Sequence, residues 1–426
     1  MVKNMLATEE YKIEFRKELK KFEYFMQIKA DLIAKGISVK NRIAEGSAFN
    51  TKQIHLYQHH VATHSSPIPE DIILYPENEV IPKTVISKLR FNPDSEWYLD
   101  YEKGYKLRND KKREEYSVTP TSPTNFDNQF IQNSPLSSIV QKLGIDVAGV
   151  IISNYCFYFK TKKECRFCEI YQTHKSHKTF TKATKPTKEI IDGLELAFQL
   201  DSNLKYILLN SGNIISYDQT VLEFIKIAQG IKELKENRNI DLIGILMPPE
   251  NFSLMDEMKQ AGFDKVYFDI EVFDPSLFQI IAPGKAEYGY KRMLSALEYA
   301  REIFGKGSSY SSFIYGLQSL PMDLNTSTWD PQIENQKALE AVDGLLDRGI
   351  VPLYCVYHYS GHNQIGPLIL DAEALFEFSV QYGEKVYTSG VIPRSRDSVV
   401  YSSTSVTNTL LNDGYNLAKL KNLCLA

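Results

Sequence analysis

The rhythm of hydrophobic positions changes about a third of the way along the chain, and the change divides it. Residues 9–36 set apolar positions at helical spacing among charges and stop at Gly36, which predicts one or two amphipathic helices closed by a glycine. From Ser66 to Gln132, Pro, Asn, Asp, Ser and Tyr dominate. The apolar runs there are short, as in Ile72-Ile-Leu-Tyr75 and Glu96-Trp-Tyr-Leu-Asp100, and predict short strands and loops. Thr119-Pro-Thr-Ser-Pro-Thr124 reads as a linker, so a boundary is expected near 120–135.

Beyond that boundary the pattern is regular. Six apolar runs, at 147–152, 206–209, 242–246, 266–270, 310–315 and 351–357, alternate with helical segments near 187–200, 217–236, 252–261, 287–304 and 333–348. This alternation is the repeat of a parallel α/β sheet or barrel, whose sites gather at the carboxyl ends of the strands. A helix near 371–382 and a Ser/Thr/Asn-rich tail follow. The expected organisation is an N-terminal α+β extension (1–135), a barrel (136–370) and a C-terminal segment closing one end of it (371–426).

Composition narrows the function classes. A 426-residue chain with 43% hydrophobic residues has enough apolar surface for a large core, and a net charge of -4 gives no basic footprint for DNA. No apolar run approaches the ~20 residues needed to span a membrane. The first ten residues have no signal-peptide core, so a cytoplasmic protein with no membrane partner is expected. Five cysteines, three of them clustered, argue against a disulfide framework and for thiolates that hold metal in a reducing compartment.

The cluster is Cys156, Cys165 and Cys168, spaced C-x8-C-x2-C directly after the first apolar run. Three soft ligands on a loop at a strand's carboxyl end bind zinc or an iron-sulfur cluster. With His174 the set becomes Cys3His, a structural zinc site that would pin the loop of an α/β binding protein without redox chemistry. A 4Fe-4S cluster on three thiolates leaves one iron open to a small chelating molecule, whereas a ferredoxin role needs a fourth cysteine at ordinary spacing. His55, His59, His60 and His64 include i, i+4 pairs, but no acidic residue lies among them and a polar surface segment explains them more simply. Cys424 reads as an exposed thiol.

In these features the chain resembles the radical S-adenosylmethionine (radical SAM) superfamily. There a three-cysteine loop follows the first strand of a six-stranded partial barrel, and the amino acid end of SAM chelates the open iron. The family's usual spacing is C-x3-C-x2-C, so the first gap here is longer. The resemblance implies a partial (β/α)6 TIM-like barrel, one 4Fe-4S cluster on Cys156, Cys165 and Cys168, and SAM as second cofactor. Phe167 stands where family members contact adenine. Asn210, Ser211, Gly212 and Asn213 end the second strand, where the family's Gly-rich turn meets the SAM amino group; glycine lets the backbone approach closely. Glu271 ends the fourth strand, a place for ribose or amino acid contact. Arg292 looks like an arginine that pairs with the SAM carboxylate, a role suited to guanidinium. Gly316 lies in a segment resembling the fifth-strand motif against adenine.

The implied activity is reductive cleavage of SAM to a 5'-deoxyadenosyl radical that abstracts hydrogen from a substrate, a small molecule in preference to a peptide. The electron would come from a reductase such as flavodoxin or ferredoxin, for which Lys160, Lys162, Lys163 and Arg166 offer a basic surface. Alternation along the sixth strand puts Cys355, Tyr357 and Tyr359 on one face. If that face is inward, Cys355 and Tyr357 are catalytic candidates, with Tyr310, Tyr354 and His358 as further lining residues; the plainer reading of Cys355 is a buried core thiol.

Overall fold

The computed structural model describes residues 9–40, 68–69, 71–75, 85–121, 126–176, 182–359, 361–391 and 410–425; the four clustered histidines lie outside them. The first helix, α1 (Glu9–Lys35), is a single element that Gly36 ends at a φ of +73°. Among the described residues six short strands follow: β1 (Ser38–Val39), β2 (Asp71–Tyr75), β3 (Val85–Lys88), β4 (Trp97–Tyr101), β5 (Tyr105–Asn109) and β6 (Glu114–Pro120). They form one sheet in the order β1-β4-β5-β6-β2-β3. Thr119 and Pro120, read from sequence as linker, instead pair with Ile73 and Ile72 at the end of β6. Proline is tolerated there because it occupies a strand terminus.

A small hairpin, β7 (Phe130–Ile131) with β8 (Ser134–Pro135), leads to β9 (Gln141–Leu143), which runs antiparallel to the first strand of a second sheet. That sheet continues with β10 (Val147–Ile151), β11 (Tyr206–Asn210), β12 (Asp241–Ile245), β13 (Lys265–Tyr267), β14 (Ser309–Tyr315) and β15 (Val351–Val356). These six are parallel and lie in sequence order, with β9 at one edge and β15 at the other. Successive right-handed crossovers in one direction put the crossover helices on one face and curl the other face inward. The result is a partial barrel whose two edge strands do not pair.

The helices are α2 (Phe157–Thr161), α3 (Ile170–Ser176), α4 (Thr187–Leu200), α5 (Tyr217–Gly230), α6 (Lys232–Arg238), α7 (Ser253–Ala261), α8 (Pro275–Ile281), α9 (Pro283–Tyr288), α10 (Tyr290–Phe304), α11 (Pro331–Leu346), α12 (Ala372–Ser389) and α13 (Leu411–Leu425). The segment expected as one helix at 217–236 is two, parted at Ile231. The helix expected from 287 starts at Tyr290, after two short helices that each open on a proline. The fourth strand stops at Tyr267: beyond it Phe268 N–H still reaches the Tyr310 carbonyl, but side chains then enter the pairing, Ile270 N–H going to the Ser311 hydroxyl and Ser312 N–H to the Asp269 carboxylate, before a bridge between Glu271 and Phe313.

Strand register sorts the two faces of the barrel sheet. Tyr354 and Phe313, partners across β14 and β15, face the helices: both rings pack on Phe378 of α12. This corrects Tyr354 as a lining candidate, since its hydroxyl contacts Ser379 and accepts the Leu410 N–H on the outer side. Tyr310 is on the inner face, stacked on Tyr267 at 4.5 Å and only 2% exposed. Outside β15, α13 crosses α12 at Gly383 and Gly414, where a Cβ on Gly383 would fall 2.2 Å from the Gly414 carbonyl. It also meets α1 through a buried Lys29–Asp413 ion pair at 2.8 Å. Among the described residues, no helix is long and apolar enough to cross a membrane.

Candidate functional site

The unusual spacing of the cysteines has a local structural reason. Cys156 precedes α2, in which residues 157–161 wind through one turn; Lys162 then takes a left-handed φ of +57° and the Lys163 N–H returns to the Tyr158 carbonyl at 2.9 Å. The chain is thereby brought round to Cys165, whose carbonyl accepts the Cys168 N–H at 2.9 Å in a tight turn. Tyr158, 3% exposed, anchors this helix: its hydroxyl lies 2.7 Å from that of Tyr217 at the head of α5. Its ring covers Gly284, where any Cβ would come within 2.4 Å. The longer gap is thus an inserted helical turn docked on the barrel rim.

The loop is strapped down on its far side as well. Gly284 N–H donates to the Lys163 carbonyl at 2.9 Å, Arg166 N–H to Ile281 at 2.8 Å, and Arg166 Nε to Ile280 at 2.7 Å. Arg166 and Lys163, which pairs with Glu287, are therefore used within the fold, while Lys160 and Lys162 remain exposed. Behind the loop the buried ammonium of Lys185 donates to the Ile151 carbonyl, and burial lowers it to about 7.

The turn after β11 meets the loop directly. Phe157 N–H donates to the Asn213 carbonyl at 2.8 Å, and Gly212 N–H to Ser153 at 3.1 Å. A Cβ on Gly212 would lie 2.6 Å from the Tyr155 carbonyl and 2.9 Å from the Cys156 Cβ. Backbone N–H groups of Tyr158 and Asn213 bond the Cys156 sulfur. Asn210 is half-buried at the strand end, and the Ser211 hydroxyl is turned back on the Gly212 carbonyl.

All three thiols are pushed up chiefly by burial: Cys168 to about 12, Cys165 well above its ordinary value, and Cys156 in the same direction. For Cys165 and Cys168 the other thiols add to the rise, while the Lys285 ammonium opposes it in all three. Among the described residues, no group of three or more His, Cys, Asp or Glu side chains is placed to hold a metal ion. His174, the fourth ligand of the zinc reading, stacks on Tyr171 with ring centroids 6.4 Å apart. The donor set itself suits an iron-sulfur cluster: buried thiols that repel one another's charge are stable as thiolates once a cationic centre binds them.

Beside the loop, next to the Gly284 that bonds it, stands a charged group that the sequence marked only in part. Glu271 adopts a left-handed φ of +68°, uncommon for a side chain of this size. It is held there by Glu271 N–H to Ser312 carbonyl, and by Ile314 N–H and Gln318 Nε2 to its own carbonyl. Its carboxylate meets Lys285 Nζ at 2.6 Å, and the same ammonium donates to the Asp269 carbonyl at 2.7 Å. Burial raises the Glu271 carboxyl to about 7 against the pull of Lys285, and raises that of Asp269 as well. Asp269 accepts the Ser312 N–H at 2.9 Å. Lys285 was not found from sequence, because one more lysine on a short polar helix carries no signal; Asp269 shares a strand-end motif with Glu271 and alternation puts both on one face.

Cys355 is opposite Ile314 on the inner face, half-buried, hydrogen-bonded with Ser312 and pushed up to about 12 by burial and then by Asp269 and Glu271. Tyr357 lies past the end of β15, 5% exposed, with its hydroxyl donating to the Gly366 carbonyl at 2.6 Å and lying 3.0 Å from Asn363 Oδ1. Phe167 packs between the main core and a smaller cluster containing Ile314 and Leu317. Gly316, at a φ of +103°, gives its N–H to Glu334, a fully buried carboxylate that also receives Gln318 and Ser319. Arg292 is exposed on the rim, its Nη2 on the Glu250 carbonyl at 2.7 Å and its guanidinium over Tyr288.

Comparison with known proteins bears on this arrangement. Residues 150–324 match the model of the Radical SAM superfamily. Over 114 residues the chain is 35% identical to bacteriochlorophyllide c C-7(1)-hydroxylase of Chlorobaculum limnaeum, a match covering 26% of this chain and 25% of the hydroxylase. The match therefore spans about a quarter of that relative's length. Similar solved structures include HydG, a maturase of the FeFe-hydrogenase (TM-score 0.44, 14% identity, 67% of this chain and 56% of HydG). Another is methylornithine synthase, PylB (TM-score 0.43, 11% identity, 64% of this chain and 70% of PylB). The likeness to the radical SAM superfamily is thus carried by residues 150–324.

Proposed function

We propose that this is a single-cluster radical SAM enzyme in which Cys156, Cys165 and Cys168 hold a 4Fe-4S cluster and SAM binds beside it. The observation that carries the reading is the convergence of the cysteine loop, the Gly212–Asn213 turn and the Glu271–Lys285 pair at the carboxyl ends of the barrel strands. When bound, the cluster and SAM supply one-electron cleavage of the sulfonium and a carbon radical that takes hydrogen from a substrate.

The chain's own part is to bind, orient and exclude water. The backbone at Asn210, Ser211, Gly212 and Asn213 offers polar groups beside Cys156 for the amino acid end of SAM. Glu271 serves the ribose or amino acid moiety and Arg292 the carboxylate. Phe167 and the Gly316 turn flank the adenine. Cys355 and Tyr357 belong to the substrate side, where the half-buried thiol of Cys355 is available to give up a hydrogen atom or grip the substrate. A small molecule is the favoured substrate, and the partial likeness to a hydroxylase supports a C–H bond as the point of attack. A flavodoxin or ferredoxin delivers the electron, with Lys160 and Lys162 the exposed cations of the loop. Such a protein works in the cytoplasm, where thiols stay reduced.

Anaerobic reconstitution tests the proposal. The protein is expected to bind about four irons as one cluster, to release 5'-deoxyadenosine with dithionite and SAM, and to lose both properties in Cys165→Ala. A colourless protein holding one zinc ion, or product release that survives Cys165→Ala, overturns it.

A further inference from the structure

The cysteine loop and the segment carrying Lys285 are bonded to one another. Three backbone or side-chain hydrogen bonds and the Tyr158–Gly284 contact fix residues 158–166 to residues 280–284, immediately before Lys285. The ammonium is then aimed by two acceptors, the Asp269 carbonyl and the Glu271 carboxylate. Glu271 is itself kept at a left-handed φ by the bridge to β14. Both side chains of the pair are largely removed from water, at 13% and 14% exposure.

We propose that Lys285 is a positioning residue that sets the reduction potential of the iron-sulfur centre held by the three cysteines, with Glu271 as the counter-charge that moderates it. The inference rests on the cluster reading above. Reduction adds one negative charge to the centre, and a fixed ammonium in a poorly solvated site favours the reduced form. The paired carboxylate cancels part of that field. Held so, the centre keeps a potential low enough to cleave a sulfonium while remaining reducible by a protein donor. The left-handed backbone at Glu271 is the local cost of keeping the two charges together.

The test is an EPR-monitored redox titration of reconstituted full-length protein without SAM. A lone Lys285→Met would let Glu271 take up a proton and mask the loss of charge, so the comparison is made in the Glu271→Gln background. Glu271→Gln, which leaves the ammonium uncompensated, is expected to be about tenfold easier to reduce at a given ambient potential than Glu271→Gln/Lys285→Met, a difference of about 59 mV for one electron. Glu271→Gln/Lys285→Arg should behave as Glu271→Gln. Equal midpoints for the three proteins, each with full iron and sulfide content, overturn the inference and leave the enzyme reading intact. Wild-type protein that assembles no 4Fe-4S signal takes both down. If the Met variant does not load, the Glu271→Gln midpoint relative to wild type decides: a rise supports the role, and no change overturns it.

Discussion

Gly212 lies directly beneath Cys156, so close that a Cβ there would approach the Cys156 Cβ to 2.9 Å and the Tyr155 carbonyl to 2.6 Å. The second strand's turn and the first strand's loop are therefore in van der Waals contact without room for a methyl group. Gly212→Ala must push the two apart at a cost of about 1–3 kcal/mol. The shift displaces Cys156, so iron uptake on reconstitution should fall while the far-UV spectrum is preserved. Full iron loading in this variant would show that the turn does not shape the cysteine loop.

Cys355 is reached from the inner face yet lies on β15, outside the cysteine loop. Cys355→Ala should keep the full iron content and lose about 1 kcal/mol of stability. Turnover of the true substrate should drop by tenfold or more, a change of about 1.4 kcal/mol in the barrier. Iron analysis and product quantification check this; a variant stripped of iron would make Cys355 a ligand instead.

His358 gives the stability of this protein a pH dependence of known sign. Burial, and after it the neighbouring Arg90 guanidinium, hold its imidazole down at about 3, and Arg90 Nη1 lies 2.6 Å from its Nδ1. Below the ordinary histidine value near 6.5 the unfolded chain takes up a proton that the folded chain refuses. Stability is therefore complete above about 6.5 and is lost as pH falls towards 3, by about 1 kcal/mol per pH unit. Urea titrations of wild type and His358→Gln across pH 4–7 measure it. The slope should be shallower in the variant, and equal slopes would refute the assignment.

Lys29 and Asp413 are joined across 384 residues and are 4% and 3% exposed. Lys29→Met leaves an unpartnered carboxylate in the core and should cost about 3–5 kcal/mol. The double variant Lys29→Met/Asp413→Leu should recover most of this loss, because two apolar side chains of similar size carry no desolvation penalty. Denaturant midpoints of the three proteins decide the point.

Much of the fold was legible in sequence for a physical reason. Strands such as Val147–Ile151 and Tyr206–Asn210 are covered on both faces, so they appear as unbroken apolar runs, and the helices between them keep an amphipathic period. The thiol trio was equally plain, since its chemistry needs particular residue types at short range. Local sequence was a poorer guide wherever a terminus depended on a neighbour: β13 ended at Tyr267, beyond which the Asp269 and Ser311 side chains enter the pairing with β14, and Thr119-Pro120 paired with β2 instead of serving as a linker.

The sequence by itself determined the repeat of strands and helices, the barrel class and the three cysteines that point to a cluster. Only the tertiary structure decided that the extra residues between Cys156 and Cys165 form a turn of helix seated on Gly284, that Tyr354 faces the helices, and that Lys285 joins Glu271 beside the loop. Those outcomes depend on which strand ends converge when the sheet curls, and no single segment carries that information. A lysine's partner, unlike a strand's hydrophobic run, is fixed by residues distant in sequence that the closed barrel brings within hydrogen-bonding distance.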